Sequence, residues 1–249
     1  MQISHMVTME KKIQLQTFQI KLQDNMDLRI VNTCDSDCMY CLEQSLRKKQ
    51  KFISRKEVFL LLQQYRNQTP DDTILAFYWW NPLMHPDLMA LISDATKLWF
   101  KSISLLTNTQ WITQNYLASL ISHWLTWISF YFHSLESEIH DMIVQDGISL
   151  EDLYKNISLI QKSGLSSTCI IHVHQQNIQK LYKIVAELYV KYSVRNFEFI
   201  RVRLHSRAIN KFREQLEIIT TNEEKDLENL QKILHKLPLH YTFTHFENI

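Results

Sequence analysis

Six times along this chain a short apolar run is followed by a stretch with helical periodicity, and few folds answer to that rhythm. The pattern predicts strands over 28–33, 73–80, 102–108, 127–134, 168–174 and 197–204. Helices are expected after each of them. Ser54 with Glu57 three residues on reads as a capping box. Pro86-Asp87-Leu88 opens a second helix to about Lys97, and a third runs from Thr113 to about His123. A fourth spans Leu150 to Ser163 and stops at Gly164, a fifth Ile178 to Tyr192, and a last one Asn222 to Leu237, before Pro238. The run Thr73 to Trp80 is almost wholly apolar, as in a strand covered on both faces. β-then-α repetition of this kind builds a parallel sheet with helices outside it. The fold class expected is α/β, a partial (β/α)6 TIM-like barrel.

In such a barrel chemistry sits at the C-terminal ends of the strands. The loop after the first predicted strand is Cys34-Asp35-Ser36-Asp37-Cys38-Met39-Tyr40-Cys41, a C-x3-C-x2-C spacing that gathers three of the four cysteines. A short loop of this kind can wrap three thiolates around an iron–sulfur cube and leave its fourth iron open to a small molecule. A structural zinc site would need a fourth ligand, from His85, His133 or a strand-five histidine. Cys169, inside a predicted strand, is expected to be a buried small hydrophobe.

The cysteine loop, its aromatic Tyr40 and the strand before it resemble the radical S-adenosylmethionine (SAM) superfamily, whose signature is C-x3-C-x-aromatic-C. The resemblance implies that Cys34, Cys38 and Cys41 hold a [4Fe-4S] cluster and that Tyr40 lies against the SAM adenine. After the second strand the family carries Gly-Gly-Glu-Pro, which holds the SAM amino group. Here the turn is Trp79-Trp80-Asn81-Pro82, with proline kept and both glycines and the glutamate gone. Trp80, Asn81 and Pro82 are the cofactor-binding candidates it implies, and the lost charge predicts weaker binding. The third strand ends Thr107-Asn108-Thr109, similar to the family's Thr-Asn-Gly, which adds Asn108.

The fourth strand's His133-Ser134-Leu135-Glu136-Ser137-Glu138-Ile139-His140-Asp141 resembles the subgroup of peptide-modifying maturases and the synthase of the molybdenum-cofactor precursor. It adds Ser134 for the cofactor and His133 for catalysis, with Tyr131 in place of a common serine. On the fifth strand His172 and His174 alternate onto one face and are expected above the cluster, for proton transfer or substrate contact. Asn177 matches an asparagine common after that strand. Arg201, on the last strand, faces the adenine by the same likeness, and Ser206-Arg207-Ala208 is similar to the family's Gly-Arg-Ala. The likeness runs over about 28–208. Only Gly147 and Gly164 occur in the chain, so a site that the family builds on glycines is here built otherwise.

With 249 residues and no Pro/Gly/Ser-rich linker, one domain is expected. Residues 1–27, with an alternating run from Ile13 to Leu22, form an N-terminal extension; 28–208 form the barrel and 209–249 a C-terminal helical extension packed on it. A net charge of +1 gives no bulk attraction to nucleic acid or membranes, though Arg47-Lys48-Lys49-Gln50-Lys51 and Arg201, Arg203 and Arg207 could form local basic patches. Clustered thiols, no signal-peptide pattern and no membrane-length apolar run point to the cytoplasm. The function expected is reductive SAM cleavage to a 5′-deoxyadenosyl radical, acting on a ribosomal peptide or peptidyl side chain, or second on a nucleotide or small metabolite. An electron donor such as flavodoxin or ferredoxin is implied. A protein that binds its cluster without turnover is the alternative.

Overall fold

A computed structural model describes residues 20–23, 25–41, 51–202 and 221–244. Eight strands lie in one sheet in the order of the sequence. β1 (Ile20–Gln23) pairs antiparallel with β2 (Asn25–Leu28), Ile20 opposite Leu28. From β2 onward every pairing is parallel: β3 (Ile74–Phe77), β4 (Ser102–Thr107), β5 (Trp127–Phe132), β6 (Ser166–Val173), β7 (Asn196–Arg201) and β8 (His240–Thr244). The seven parallel strands make a half-barrel with helices around it. β2 begins before the expected boundary at 28, and Leu28 ends it; Val31 keeps a single bridge to Phe52. The segment 209–249 holds the expected helix, at Thr221–Leu234, and then supplies β8.

The helices are α1 (Arg55–Arg66), α2 (Leu88–Lys97), α3 (Gln114–Ser122), α4 (Ser137–Val144), α5 (Leu150–Lys162), α6 (Leu181–Tyr192) and α7 (Thr221–Leu234). The Ser54–Glu57 capping box forms, Thr113 and Ser149 cap α3 and α5, and Gly164 takes a φ of 75° after α5. α4 was not expected. It starts at Glu136 without a side-chain cap and is short, so the sequence there reads as loop. Among the described residues no helix is long and apolar enough to cross a membrane. The run 13–19, the basic cluster 47–50, and Arg203, Ser206, Arg207 and Ala208 lie outside the described residues.

The sheet's two faces differ. On β5, Ile128, Phe130 and Phe132 are buried against the helices, while Trp127, Ser129 and Tyr131 on the other face are only half-buried. β6 repeats this: Cys169, Ile171 and Val173 are buried with the helix-side core, and His172 turns the other way. Cys169 is therefore the small core hydrophobe expected of it. Arg55 braces α1 against α2 with one guanidinium edge, Nε and Nη2 donating to the two oxygens of the Asp94 carboxylate at 2.7 and 2.9 Å.

Candidate active site

A cavity of about 440 Å³ opens where the strands end, walled on one side by Cys34, Cys38, Tyr40 and Cys41. The cysteine loop enters it straight from β2 and is pinned from outside: Met39 N–H donates to the Ile143 carbonyl of α4 at 2.9 Å. Gly147 is what permits this approach, because a Cβ there would lie 2.7 Å from Ser36 Oγ. None of the three cysteines is in a disulfide, and each is partly exposed. Burial pushes the Cys34 thiol up to about 12, and burial together with the neighbouring thiols raises Cys38 further.

Crowded thiols, of which Cys34 and Cys38 resist ionisation, suit a metal load, whose positive charge is what allows them to be thiolates. Among the described residues no three His, Cys, Asp or Glu side chains gather about a single ion-sized point; a cube asks instead for thiolates spread over separate irons. The zinc alternative loses His85. Its Nε2 donates to the Ile53 carbonyl at 2.8 Å and its Nδ1 accepts from Asp87 N–H at 3.0 Å, so neither nitrogen is left for a metal.

Across the cavity the ends of β5 and β6 bring Tyr131, His133 and His172 together. Tyr40 O–H donates to His133 Nδ1 at 2.6 Å, and its ring sits 4.4 Å from that of His172. Tyr131 stacks on His172 at 5.1 Å. Burial, then the neighbouring histidines, holds His133 well below the usual imidazole range, and burial takes His172 down to about 3. Both are neutral hydrogen-bonding groups. His172 Nδ1 is buried without a partner among the described residues.

Nine of the sequence candidates therefore line one cavity: Cys34, Cys38, Cys41 and Tyr40 on the near wall, then Trp80, Asn108, His133, His172 and Arg201. The others do not. His174 follows the strand and turns inward to the protein, its Nδ1 accepting from Gln176 N–H at 3.2 Å, so only one of the two histidines on β6 and its end reaches the cavity. Ser134 Oγ accepts from Glu136 N–H and shapes the turn. Asn177 is buried; its amide donates to the carbonyls of His133 and His172, at 3.0 and 2.8 Å, and its oxygen accepts from His174 N–H. It ties the ends of β5 and β6 together. Pro82 starts a 3-10 turn that Asn81 caps. Asn81 is fully buried, its oxygen accepting from Thr107 Oγ1 at 2.9 Å.

The turn after β3 keeps a glycine-like backbone without glycine. Trp79 and Trp80 have φ of 72° and 51°, and Thr109, after β4, has 68°. Side-chain-bearing residues enter this region at a cost and hold it only where their surroundings insist. Here the insistence is visible: the buried Arg29 guanidinium lies 4.7 Å from the Trp79 ring and 4.4 Å from the Trp80 ring, and Asn156 of α5 donates to the Thr109 carbonyl at 2.9 Å. Arg29, Asn156 and Gly147 were missed by the sequence reading. Gly147 carried a signal, as one of two glycines; a lone Arg or Asn inside an apolar pattern carries none.

A sequence model of the radical SAM superfamily matches residues 28–188. The chain belongs to the radical SAM superfamily. Radical SAM proteins hold a [4Fe-4S] cluster and SAM, and the three clustered thiols and the cavity above fit that pair. Among solved structures the fold resembles Streptococcus suis SuiB bound to S-adenosylmethionine, with a TM-score of 0.70 at 13% identity over 93% of this chain and 52% of that one. SuiB bound to its precursor peptide SuiA gives 0.71 at 12%, over 94% and 51%. Native anSMEcpe with bound AdoMet and Kp18Cys peptide gives 0.68 at 16%, over 86% and 62%, and a spore photoproduct lyase mutant 0.68 at 15%, over 91% and 79%. This radical SAM chain spans about half the length of SuiB. No curated protein matches it in sequence.

Proposed function

We propose that the chain is a radical SAM enzyme that abstracts hydrogen from a peptide side chain, with its cluster on Cys34, Cys38 and Cys41. When bound, the cluster and SAM supply one-electron cleavage of the sulfonium to methionine and a 5′-deoxyadenosyl radical. The observation that carries the reading is the meeting of three thiols outside any disulfide and Tyr40 with His133 and His172 across one cavity. Each wall has its task. The thiols hold, Tyr40 and Tyr131 keep water from the reacting centre, and the two neutral histidines offer hydrogen bonds to a substrate without adding charge. Trp80 and Asn108 line the cofactor's side and Arg201 the far wall, while Asn81, Pro82, Ser134 and Asn177 support turns behind it.

A peptide is favoured over a nucleotide or small metabolite because SuiB and anSMEcpe, of the same fold, were solved with peptides. A flavodoxin or ferredoxin in the cytoplasm would deliver the electron. Anaerobic reconstitution with iron and sulfide tests the reading: a cluster of about four irons, perturbed by SAM, and 5′-deoxyadenosine released under reductant are expected. Co-purification with a precursor peptide tests the substrate, and turnover of a nucleotide by a chain that ignores peptides would overturn that part. One observation favours a second reading, a cluster without turnover: where the family has a glutamate, the Asn81 side chain is consumed internally. A normal cluster that SAM neither perturbs nor is cleaved by would decide for it.

A further inference from the structure

The cysteine loop carries a carboxylate that the site so far has not used. Asp35 directly follows Cys34, and two strand-end turns reach it at once. Asn81 Nδ2 donates to its Oδ1 and Oδ2 at 3.0 and 3.2 Å, Asn108 Nδ2 donates to Oδ1 at 2.8 Å, and Trp111 Nε1 donates to Oδ2. The same two amides serve their neighbours: Asn108 Nδ2 also reaches Ser36 Oγ at 2.8 Å, and Asn81 Nδ2 reaches Asn108 Oδ1 at 3.0 Å. The amide oxygens are filled from behind, by Thr107 Oγ1 and Leu83 N–H on Asn81 and by Gln110 N–H on Asn108. The donor directions are thus fixed. Both amides must point N–H groups at position 35, and only an acceptor there answers them.

We infer that Asp35 is a positioning residue of the metal loop: clamped by Asn81, Asn108 and Trp111, its carboxylate fixes the path of Cys34 to Ser36 and stands beside the first thiol. The inference rests on the reading of the three cysteines as cluster ligands, and on nothing about SAM turnover. Asp35 Oδ1 lies 3.6 Å from Cys34 Sγ. A fixed negative charge at that range opposes the arrival of an electron on the cluster, and the donors that surround it moderate the effect. The same contact accounts for the amide at position 81. A glutamate in the turn, as the family has, would set a second carboxylate against Asp35; here one carboxylate and one amide share the place.

The test compares wild type with Asp35→Asn, with the exchange Asp35→Asn/Asn81→Asp, and with Trp111→Phe, all reconstituted anaerobically without SAM. Iron and sulfide per chain, the midpoint potential of the cluster and the urea midpoint of the metal-free chain are read. Asp35→Asn sets amide against amide, so iron is lost and the remaining cluster titrates at a more positive potential. The exchange returns a carboxylate to the network but sets it against Asn108 Oδ1, so it recovers only part of the iron. Trp111, half-exposed, is a mild site to change; Trp111→Phe leaves the charge and removes one donor, so the potential moves the opposite way, to more negative values. Opposite signs are beyond a merely structural effect, and the Trp111 arm still reads if Asp35→Asn fails to fold. Full iron and an unmoved potential in Asp35→Asn, or shifts of the same sign in both single variants, would overturn the inference. A wild type that loads its cluster and cleaves no SAM leaves it standing and defeats only the proposed turnover; a wild type that takes up no iron defeats both.

Discussion

Single side chains at the cavity hold their neighbours more than they hold solvent. Tyr40→Phe keeps the ring on His172 but leaves His133 Nδ1 buried without its donor, a loss of about 1–3 kcal/mol. Urea denaturation of the metal-free chain should show it; an unchanged midpoint would mean that His133 has found water. Asn177→Asp is expected to be worse than Asn177→Ala. The aspartate would turn an acceptor toward the carbonyls of His133 and His172, whereas alanine only leaves them unpaired. The reverse order in urea midpoints would sink the view of Asn177 as the tie between β5 and β6. Residue by residue, the sequence was most legible at the cysteines, whose spacing is itself the geometry. It was least legible at Asn81, Asn177 and His174. Those three are polar and close to the site in sequence, and nothing in their spacing distinguishes a side chain that faces the cavity from one that braces it.

At the scale of elements, the chain repeatedly sets side chains where a glycine would be easier. Just past the ends of α2 and α3 stand Trp99 and Trp124, with φ of 68° and 75°, and past α6 Ser193 with 60°, while α5 is followed by Gly164. Trp99 is 78% exposed, so its indole stabilises little in return. Left-handed backbone costs an ordinary residue about 1–2 kcal/mol, and Trp99→Gly should therefore raise stability by about 1 kcal/mol in chemical denaturation. A loss would show that the exposed indole packs on something in solution. Strand and helix order was legible because apolar period follows it directly, and capping at Ser54 was legible because a capping box is written in adjacent residues. α4 and β8 were not. α4 lacks a cap, and β8 reads His-Tyr-Thr-Phe-Thr, half-exposed along its length, with the apolar share of a surface loop.

For the molecule as a whole, buried imidazoles set the acid limit. In the unfolded chain they titrate near 6.5, while burial lowers His172 to about 3 and His174 to about 4 in the fold. The unfolded chain then binds protons that the fold refuses. Stability is full above about pH 6.5 and falls as pH drops toward 4, by about 1.4 kcal/mol per pH unit for each such group. Urea midpoints between pH 7.5 and pH 5 should follow that slope, and His174→Gln should flatten it; a level profile would mean that both rings are charged or wet. The strand order, which repeats the order of the chain from β1 to β8, has a consequence of another kind. Each strand emerging from a ribosome finds its one partner already made, so the sheet can grow by addition at a single edge, without threading and without waiting for distant sequence. The cysteine loop, made early, is pinned only when Ile143 arrives with α4, so the metal-holding end of the first strand must wait on the middle of the chain.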